Sequence, residues 1–227
     1  MTTMRDASQQ RVLNAIDRGI RDAQEDYKKA AWTPLCDGPE HLITASIFYS
    51  LAELTKENSL TLETRVADVR AYLKGKPRAG RPPAVPRGTG RVDLCLWHKD
   101  EDRPRAIVEV KRRAESWTEQ PTDSDIDRIA KLLLLRCPRK LGFGVLASCI
   151  HREIVGSREK AENKINDTLA SLQETIQAKV GAQLIVRPEQ SRFARLPLRE
   201  EYPEDPHSKD WLWRPVVFII HRRPNRR

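Results

Sequence analysis

Arg91-Val-Asp-Leu-Cys-Leu-Trp97 and, after a polar break, Arg105-Ala-Ile-Val-Glu-Val-Lys111 are the two stretches that decide the fold expected of this chain. Both are short and rich in valine, leucine and isoleucine, a composition typical of β-strands. The segment between them is polar and suits a hairpin connection. We therefore predict adjacent strands at residues 91–97 and 105–112.

Charged side chains interrupt both predicted strands. Side chains alternate between the two faces of a strand, so Glu109 and Lys111 share one face, which we expect to be polar. Strand pairing can then bring Asp93 beside Glu109. A charge within an apolar strand is costly unless it is paired or binds a metal ion. Two neighbouring carboxylates suit Mg²⁺ or Mn²⁺, and Lys111 could orient an attacking water or neutralise developing charge. The alternative is a surface hairpin in which the three charges form a cross-strand salt bridge.

Elements on either side of these strands indicate an α/β protein. Apolar residues recur at helical spacing over about residues 8–30. A second helix is predicted to begin at Asp37, which can act as its cap, with Pro39 in the first turn. Residues 60–73 are rich in threonine and valine and are interpreted as a strand. Residues 74–90 contain too many prolines and glycines for a regular element and are interpreted as a loop.

The remaining elements lead to a single domain over residues 1–227. We expect α/β architecture with a mixed central β-sheet flanked by helices, because strand pairs joined by hairpins alternate with crossover helices. The N-terminal helix (about 8–30) and a C-terminal extension (about 188–227) flank the core. The predicted later elements are a helix at 123–137, a strand at 141–150, a helix at 157–180, strands at 182–186 and 216–220, an irregular segment at 188–210 and a basic tail at 221–227.

Composition and charge favour an anionic partner. Lys and Arg total 41 against 32 Asp and Glu, which gives a formal charge of +9 and a pI near 9.6. The four cysteines form no CxxC pair, so we expect a reduced protein without structural zinc. No apolar run approaches the roughly 20 residues that span a bilayer. The N-terminus has no hydrophobic signal core. We expect a cytoplasmic protein without membrane contact.

The charged residues on the two strands resemble the motif of the PD-(D/E)xK nuclease superfamily. The match is to Asp93 and then Glu109-Val110-Lys111, with the element order around them over roughly residues 37–150. The resemblance implies a restriction endonuclease-like core (αβββαβ). It also implies that Asp93, Glu109 and the carbonyl of Val110 bind Mg²⁺, for which Mn²⁺ can substitute, and that Lys111 acts at the nucleophile. The chain departs from the motif in that Val92, and not proline, precedes Asp93.

Glu40 has two interpretations. Many members of that superfamily carry a catalytic glutamate on the helix before the sheet, and Glu40 lies on the predicted core-facing stripe of such a helix. The pair Asp37 and Glu40 also has the spacing of a capping box, in which Glu40 only accepts a backbone N–H. Both interpretations are open at this point.

A basic strip precedes the first of the two strands. From Val69 to Val92 there are seven basic residues and no acidic one, so this strip can follow a phosphate backbone. The alternative is a solvated loop without a partner. The residues predicted to bind nucleic acid are Lys74, Lys76, Arg78, Arg81, Arg87, Arg91, Arg112, Arg113 and Arg128.

These features together predict a Mg²⁺-dependent nuclease, with DNA favoured over RNA and an endonuclease favoured over an exonuclease. One alternative is a catalytically inactive nucleic-acid-binding or regulatory protein with the same fold. Another is a protein-interaction component whose positive charge serves solubility. Homodimer formation is left open.

Overall fold

A mixed seven-stranded sheet forms the centre of the protein. The computed structural model describes residues 4–31, 33–54, 58–74, 90–99, 103–119, 125–137, 140–197 and 209–224. The strands are β1 (Asn58–Arg65), β2 (Arg91–His98), β3 (Arg103–Arg113), β4 (Phe143–Glu153), β5 (Leu184–Pro188), β6 (Ala194–Pro197) and β7 (Asp210–Arg222).

The strands are ordered β1-β2-β3-β4-β7-β5, with β6 paired to β7. Among the strand pairs of the described residues, only β3 and β4 run parallel, and the other pairs are antiparallel. A parallel pair requires a crossover connection, which here runs through the segment between β3 and β4. Because β3 and β4 are parallel, their carboxyl ends lie at the same end of the sheet.

Helices cover both faces of the sheet. The helices of the described residues are α1 (Met4–Ala31), α2 (Glu40–Ala52), α3 (Val66–Leu73), α4 (Ser116–Glu119), α5 (Asp125–Leu134) and α6 (Arg158–Val180), with a 3-10 turn at Leu35–Asp37. Helices α1 and α2 pack against one face and share a core with residues of β2, β3, β4 and β7. Helices α3, α5 and α6 pack against the other face. The prediction of a mixed sheet flanked by helices is confirmed.

The order of the elements, the cysteines and the composition of the helices can each be compared with the sequence. The order α2, β1, β2, β3, α5 and β4 matches the predicted core order, with two short helices added between its members. The four cysteines all lie within the described residues and form no disulfide with one another. Among the helices of the described residues, none has both the length and the apolar composition needed to cross a membrane.

The strand predicted at residues 60–73 is wrong in its second half. Strand β1 ends at Arg65, and the next residues form helix α3. Val66, Val69 and Leu73 are buried, at the three- and four-residue spacing of a helix. The valines of this segment favour a strand by their intrinsic preference, but packing of the buried side chains against the sheet stabilises a helix instead.

The irregular segment predicted at residues 188–210 contains a strand. Strand β6 pairs with the first part of β7, which itself begins six residues before the predicted position 216. Twelve residues rich in charge and proline separate the two strands, so no tight-turn pattern signals the pairing. Residues 198–208 lie outside the described part of the chain.

The expectation that one face of the β2–β3 pair is polar is also wrong. Ile107 is fully buried on the same face as Glu109, and Glu109 itself is only 1% exposed. The crossover places α5 over this face, since Ile107 and residues of α5 belong to one core cluster. Glu109 is therefore a buried carboxylate and not part of an open polar surface.

Candidate active site

Side chains from four separate parts of the chain meet at one end of the sheet. We call this group the charged cluster. It consists of Glu40 at the start of α2, Asp93 on β2, Glu109 and Lys111 on β3, and Asp125 and Arg128 near the start of α5.

Strand pairing places Asp93 beside Glu109. The β2–β3 register pairs Leu94 with Val108, so Asp93 lies opposite Glu109 when the register is continued by one residue. The backbone N–H of Val110 donates to Asp93 Oδ2 at 2.7 Å. Asp93 is thus held against the peptide that joins Glu109 to Val110, as the sequence predicted for this pair.

Both of these carboxyls are hard to ionise. Burial is the main cause that raises the pKa of Asp93 to about 6, and it outweighs the Val110 N–H and Lys111, which lower it. Burial also raises the pKa of Glu109 well above its ordinary value, against the opposing effect of Arg128. The charge of Asp125 raises the pKa of both carboxyls further, and the charge of Asp93 adds to the raised pKa of Glu109. A positive charge placed between Asp93 and Glu109 would relieve this cost.

Arg128 supplies part of that positive charge. Its guanidinium Nη1 donates to Glu109 Oε1 at 2.8 Å and to the carbonyl oxygen of Arg91, also at 2.8 Å. Its Nη2 lies 3.3 Å from Asp125 Oδ1. Arg128 therefore connects α5 to both β2 and β3.

Two glycines allow α5 to approach the sheet this closely. Gly144 on β4 lies under Ile129, and a Cβ at this position would overlap the Ile129 side chain. Gly90 has φ +50°, and a Cβ there would lie 3.1 Å from Nε of Arg128. The absence of side chains leaves room for Ile129 over β4 at Gly144 and for Arg128 beside the strand end at Gly90.

Lys111 joins the charged cluster to α2. Its Nζ lies 3.0 Å from Asp125 Oδ2 and 3.6 Å from Glu40 Oε1. Burial by itself lowers the pKa of Lys111, but the surrounding carboxylates outweigh burial and raise that pKa above its ordinary value. Lys111 is consequently an ammonium ion at neutral pH.

Glu40 does not form the capping box. Helix α2 begins at Glu40, and the residue before its first turn is Pro39, which makes no side-chain cap hydrogen bond. Glu40 Oε2 instead accepts the backbone N–H of Arg112 at 3.0 Å. Asp37 lies in the 3-10 turn and pairs with Arg113. The geometry therefore places Glu40 beside Lys111, as the first interpretation requires.

The donor chemistry of the charged cluster fits a hard divalent cation. Its four carboxylates exceed its two cations, Lys111 and Arg128, by two when all are ionised. Asp93 and Glu109 offer oxygen atoms from neighbouring strands, and Mg²⁺ often takes one or two carboxylates with water as its other ligands. Within the described ranges, no group of three or more His, Cys, Asp or Glu side chains forms a ready-made metal site. Two carboxylates, and not a complete cage, are what this chain presents.

The basic residues predicted to bind nucleic acid are only partly described. Lys76, Arg78, Arg81 and Arg87 lie outside the described residues. Lys74 is exposed just after α3. Arg91 is exposed at the start of β2, with Nη1 4.0 Å from Glu63 Oε2. These two residues lie at the two ends of the segment that is not described.

The other three predicted contacts lie around the charged cluster. The side chain of Arg112 is exposed, while its backbone N–H binds Glu40. Arg113 pairs with Asp37 and donates to the carbonyl oxygen of Cys36 at 3.1 Å. Arg128 points to Glu109 and Asp125 and is engaged with the charged cluster itself.

Asp125 is the member of the charged cluster that sequence reasoning missed. In the sequence it stands only at the start of a predicted helix, where an aspartate is ordinary. Its spacing of three residues to Arg128 is a weak signal, and its contact with Lys111 depends on how α5 packs on the sheet. No local pattern contains that second contact.

Comparison of the chain with protein-family models, with curated proteins and with solved structures found no match. The resemblance of Asp93, Glu109 and Lys111 to a nuclease motif therefore stays a prediction.

Proposed function

We propose that this protein is a Mg²⁺-dependent nuclease that hydrolyses phosphodiester bonds of nucleic acid, and that double-stranded DNA cut at internal positions is the first substrate to test. One observation supports this proposal above the others. Asp93, Glu109, Lys111 and Glu40 come from three separate elements, and all contribute to one charged cluster at the carboxyl end of β3. The fold itself is no support, because one fold serves many functions.

Each side chain has a chemical role in this proposal. Asp93 and Glu109 would hold Mg²⁺, with the carbonyl of Val110 as a further ligand. The bound ion would polarise the scissile phosphate and lower the pKa of a water molecule. The surrounding carboxylates raise the pKa of Lys111, so its role in this proposal is to orient the attacking water and neutralise charge on the phosphate as an ammonium ion. Glu40 holds Lys111 from the side of α2.

The charge of the whole chain suits the substrate. A net charge of +9 favours association with a polyanion and makes this association sensitive to salt. Arg112 and Arg91 are exposed near the charged cluster and can contact phosphates on either side of the scissile bond.

A second candidate function is binding of nucleic acid without cleavage. It is favoured by the 2.8 Å ion pair between Arg128 and Glu109, because an arginine already neutralises the most deeply buried carboxylate. A charged cluster stabilised by its own cations needs no metal ion. This candidate predicts salt-sensitive binding of DNA or RNA and no cleavage with any divalent metal.

Incubation of supercoiled plasmid DNA with the protein tests the proposal. We expect nicked and linear products with Mg²⁺ or Mn²⁺ and none with EDTA. Asp93→Asn and Lys111→Met should each reduce cleavage by at least about 100-fold, since both act on the reacting groups. Lys131→Met, which removes an exposed lysine from α5, is the matched control and should cut like the wild type.

The result also separates the two candidate functions. If the wild type binds DNA at low salt but cuts neither DNA nor RNA with either metal, the second candidate is correct. If the Asp93→Asn/Lys111→Met double variant cuts as well as the wild type, the cleavage comes from a contaminant or another site, and the proposal is wrong. Failure to bind either nucleic acid at low salt would favour a protein-interaction role.

A further inference from the structure

Asp125 shares its two carboxylate oxygens between the two cations of the charged cluster. Oδ2 lies 3.0 Å from Nζ of Lys111, and Oδ1 lies 3.3 Å from Nη2 of Arg128. The Asp125 side chain is only 13% exposed, so water competes little with the two cations for its carboxylate oxygens. Lys111 and Arg128 in turn contact Glu40 and Glu109, respectively. Asp125 is therefore the link between two otherwise separate ion pairs.

A simpler explanation for Asp125 is that it stabilises the start of α5. An acidic residue in a first helical turn interacts favourably with the helix dipole. That role requires no contact with β3. The ion pair with Lys111 crosses from α5 to the strand and is not explained by helix stability alone.

Lys111 also has a choice of partners. Glu40 is 43% exposed and lies 3.6 Å away, whereas Asp125 is nearer and more buried. A lysine side chain has four rotatable bonds. An ion pair holds it in one geometry only if the partner is close and shielded from water, because water and salt weaken exposed ion pairs. Without Asp125, Glu40 alone would hold the ammonium, at longer distance and in greater contact with water.

We propose that Asp125 is a positioning residue that fixes Lys111 and Arg128 relative to the Asp93–Glu109 pair. This inference rests on the proposed function, because it assigns Asp125 a part in the same reaction. Asp125 does not touch substrate in this role. It acts by holding the ammonium of Lys111 where charge develops and by restraining the guanidinium of Arg128.

Two measurements on Asp125→Asn test the inference, one without catalysis and one with it. The first is the acylation rate of Lys111 by an amine-reactive reagent, read by mass spectrometry against the exposed Lys164 of α6 as internal reference. We expect labelling of Lys111 to rise at least about threefold, because the lysine loses its nearest partner. The second is the single-turnover cleavage rate at saturating Mn²⁺, which should fall at least about tenfold, with Mn²⁺ affinity by electron paramagnetic resonance unchanged.

Matched variants separate positioning from folding. Asparagine is as suitable as aspartate at a helix start, so Asp125→Asn preserves the local backbone preference. Asp125→Glu restores the charge and should recover part of the cleavage rate and of the protection of Lys111. Asp127→Asn removes a neighbouring acid of the same helix and should leave both measurements at the wild-type value.

The outcomes distinguish this inference from the proposed function. If the wild type cleaves and Asp125→Asn matches it in labelling and rate, the inference is wrong and the proposed function stands. If Mn²⁺ affinity falls together with the rate, Asp125 is a metal ligand and the positioning role is wrong. If the wild type cleaves nothing but labelling of Lys111 responds as expected, the proposed function fails, while Asp125 still positions Lys111.

Discussion

Asp93 and Glu109 are the two residues at which burial and charge conflict most. Burial disfavours their ionised forms, and neighbouring carboxylates add to this cost. Folding nevertheless places both beside each other on paired strands. An arrangement that reduces stability in this way is typical of functional sites, since a structural role alone does not require it.

The raised pKa of Asp93 leads to a pH-dependent stability in the absence of metal. The folded protein binds the Asp93 proton more tightly than the unfolded chain, with a pKa of about 6 against an ordinary value of 3.8. The ionised carboxylate therefore destabilises the fold above pH 6, and this effect is lost as the pH falls from 6 to 4. Relative to Asp93→Asn, the wild type should gain about 2 kcal/mol between pH 7.5 and pH 4.5.

Urea unfolding of both proteins in EDTA at the two pH values measures this difference. Charge repulsion elsewhere in the chain changes with pH in the wild type and in Asp93→Asn alike, so it cancels between them. An equal pH dependence of the two proteins would contradict the raised pKa of Asp93.

Glu40→Gln separates the two contacts of Glu40. The amide oxygen of glutamine can still accept the Arg112 N–H, but the charge that faces Lys111 is lost. We expect a cleavage rate reduced about tenfold or more, with the midpoint of thermal unfolding almost unchanged. Glu53→Gln, at the other end of α2 in an exposed ion pair with Arg18, is the control. If Glu40→Gln is fully active, the contact of Glu40 that matters is the one with the Arg112 N–H at the end of β3.

At the scale of elements, the close approach of α1 and α2 positions Glu40. A Cβ on Gly19 of α1 would lie 2.6 Å from Cα of Ile47 and 2.8 Å from the carbonyl oxygen of Ser46, both on α2. The two backbones touch at this point, and no flexible side chain can move aside. Gly19 therefore sets the distance between the two helices.

Gly19→Ala should destabilise the protein, contrary to its usual effect. Alanine is intrinsically better than glycine in a helix by about 1 kcal/mol. Here the added methyl group forces α1 and α2 apart, and we expect a net loss of about 1–3 kcal/mol. Asp22→Ala, at an exposed position of the same helix, should change the free energy of unfolding by less than about 0.5 kcal/mol. Urea denaturation of the three proteins checks this, and a stabilised Gly19→Ala would refute the close contact.

On the scale of the whole molecule, the charge distribution is uneven. The chain carries a net charge of +9, yet the charged cluster has two more carboxylates than cations. A polyanion would be attracted to the protein as a whole, whereas a divalent cation would be attracted to this one place. The two preferences are compatible because they act at different distances.

Metal binding should stabilise the whole fold. A ligand that binds only the folded state at about 100 times its Kd adds about 2.7 kcal/mol. We expect Mg²⁺ and Mn²⁺ to raise the midpoint of thermal unfolding of the wild type, and more so at pH 7.5 than at pH 5.5, because Asp93 must lose its proton. The Asp93→Asn/Glu109→Gln double variant should show no such rise in differential scanning fluorimetry. A rise of the same size in both proteins would place the metal elsewhere.

The sequence by itself determined the strands β2 and β3, the buried strand β4, the long helices α1 and α6, and the mixed sheet flanked by helices. These features depend on local composition and periodicity, which a sequence contains directly. The pairing of Asp93 with Glu109 also followed, because two adjacent strands joined by a short connection have few alternative registers.

Only the tertiary structure decided which helices cover these strands and which residues outside the strands belong to the charged cluster. Helix α3 replaced part of a predicted strand, and β6 formed in a segment that was expected to be irregular. Packing of α2 and α5 onto the two faces of the sheet brought Glu40 and Asp125 to Lys111. These contacts join residues on separate elements, and the packing that brings the elements together comes from the burial of apolar surface elsewhere in each helix. No pattern local to Glu40 or Asp125 could therefore reveal them.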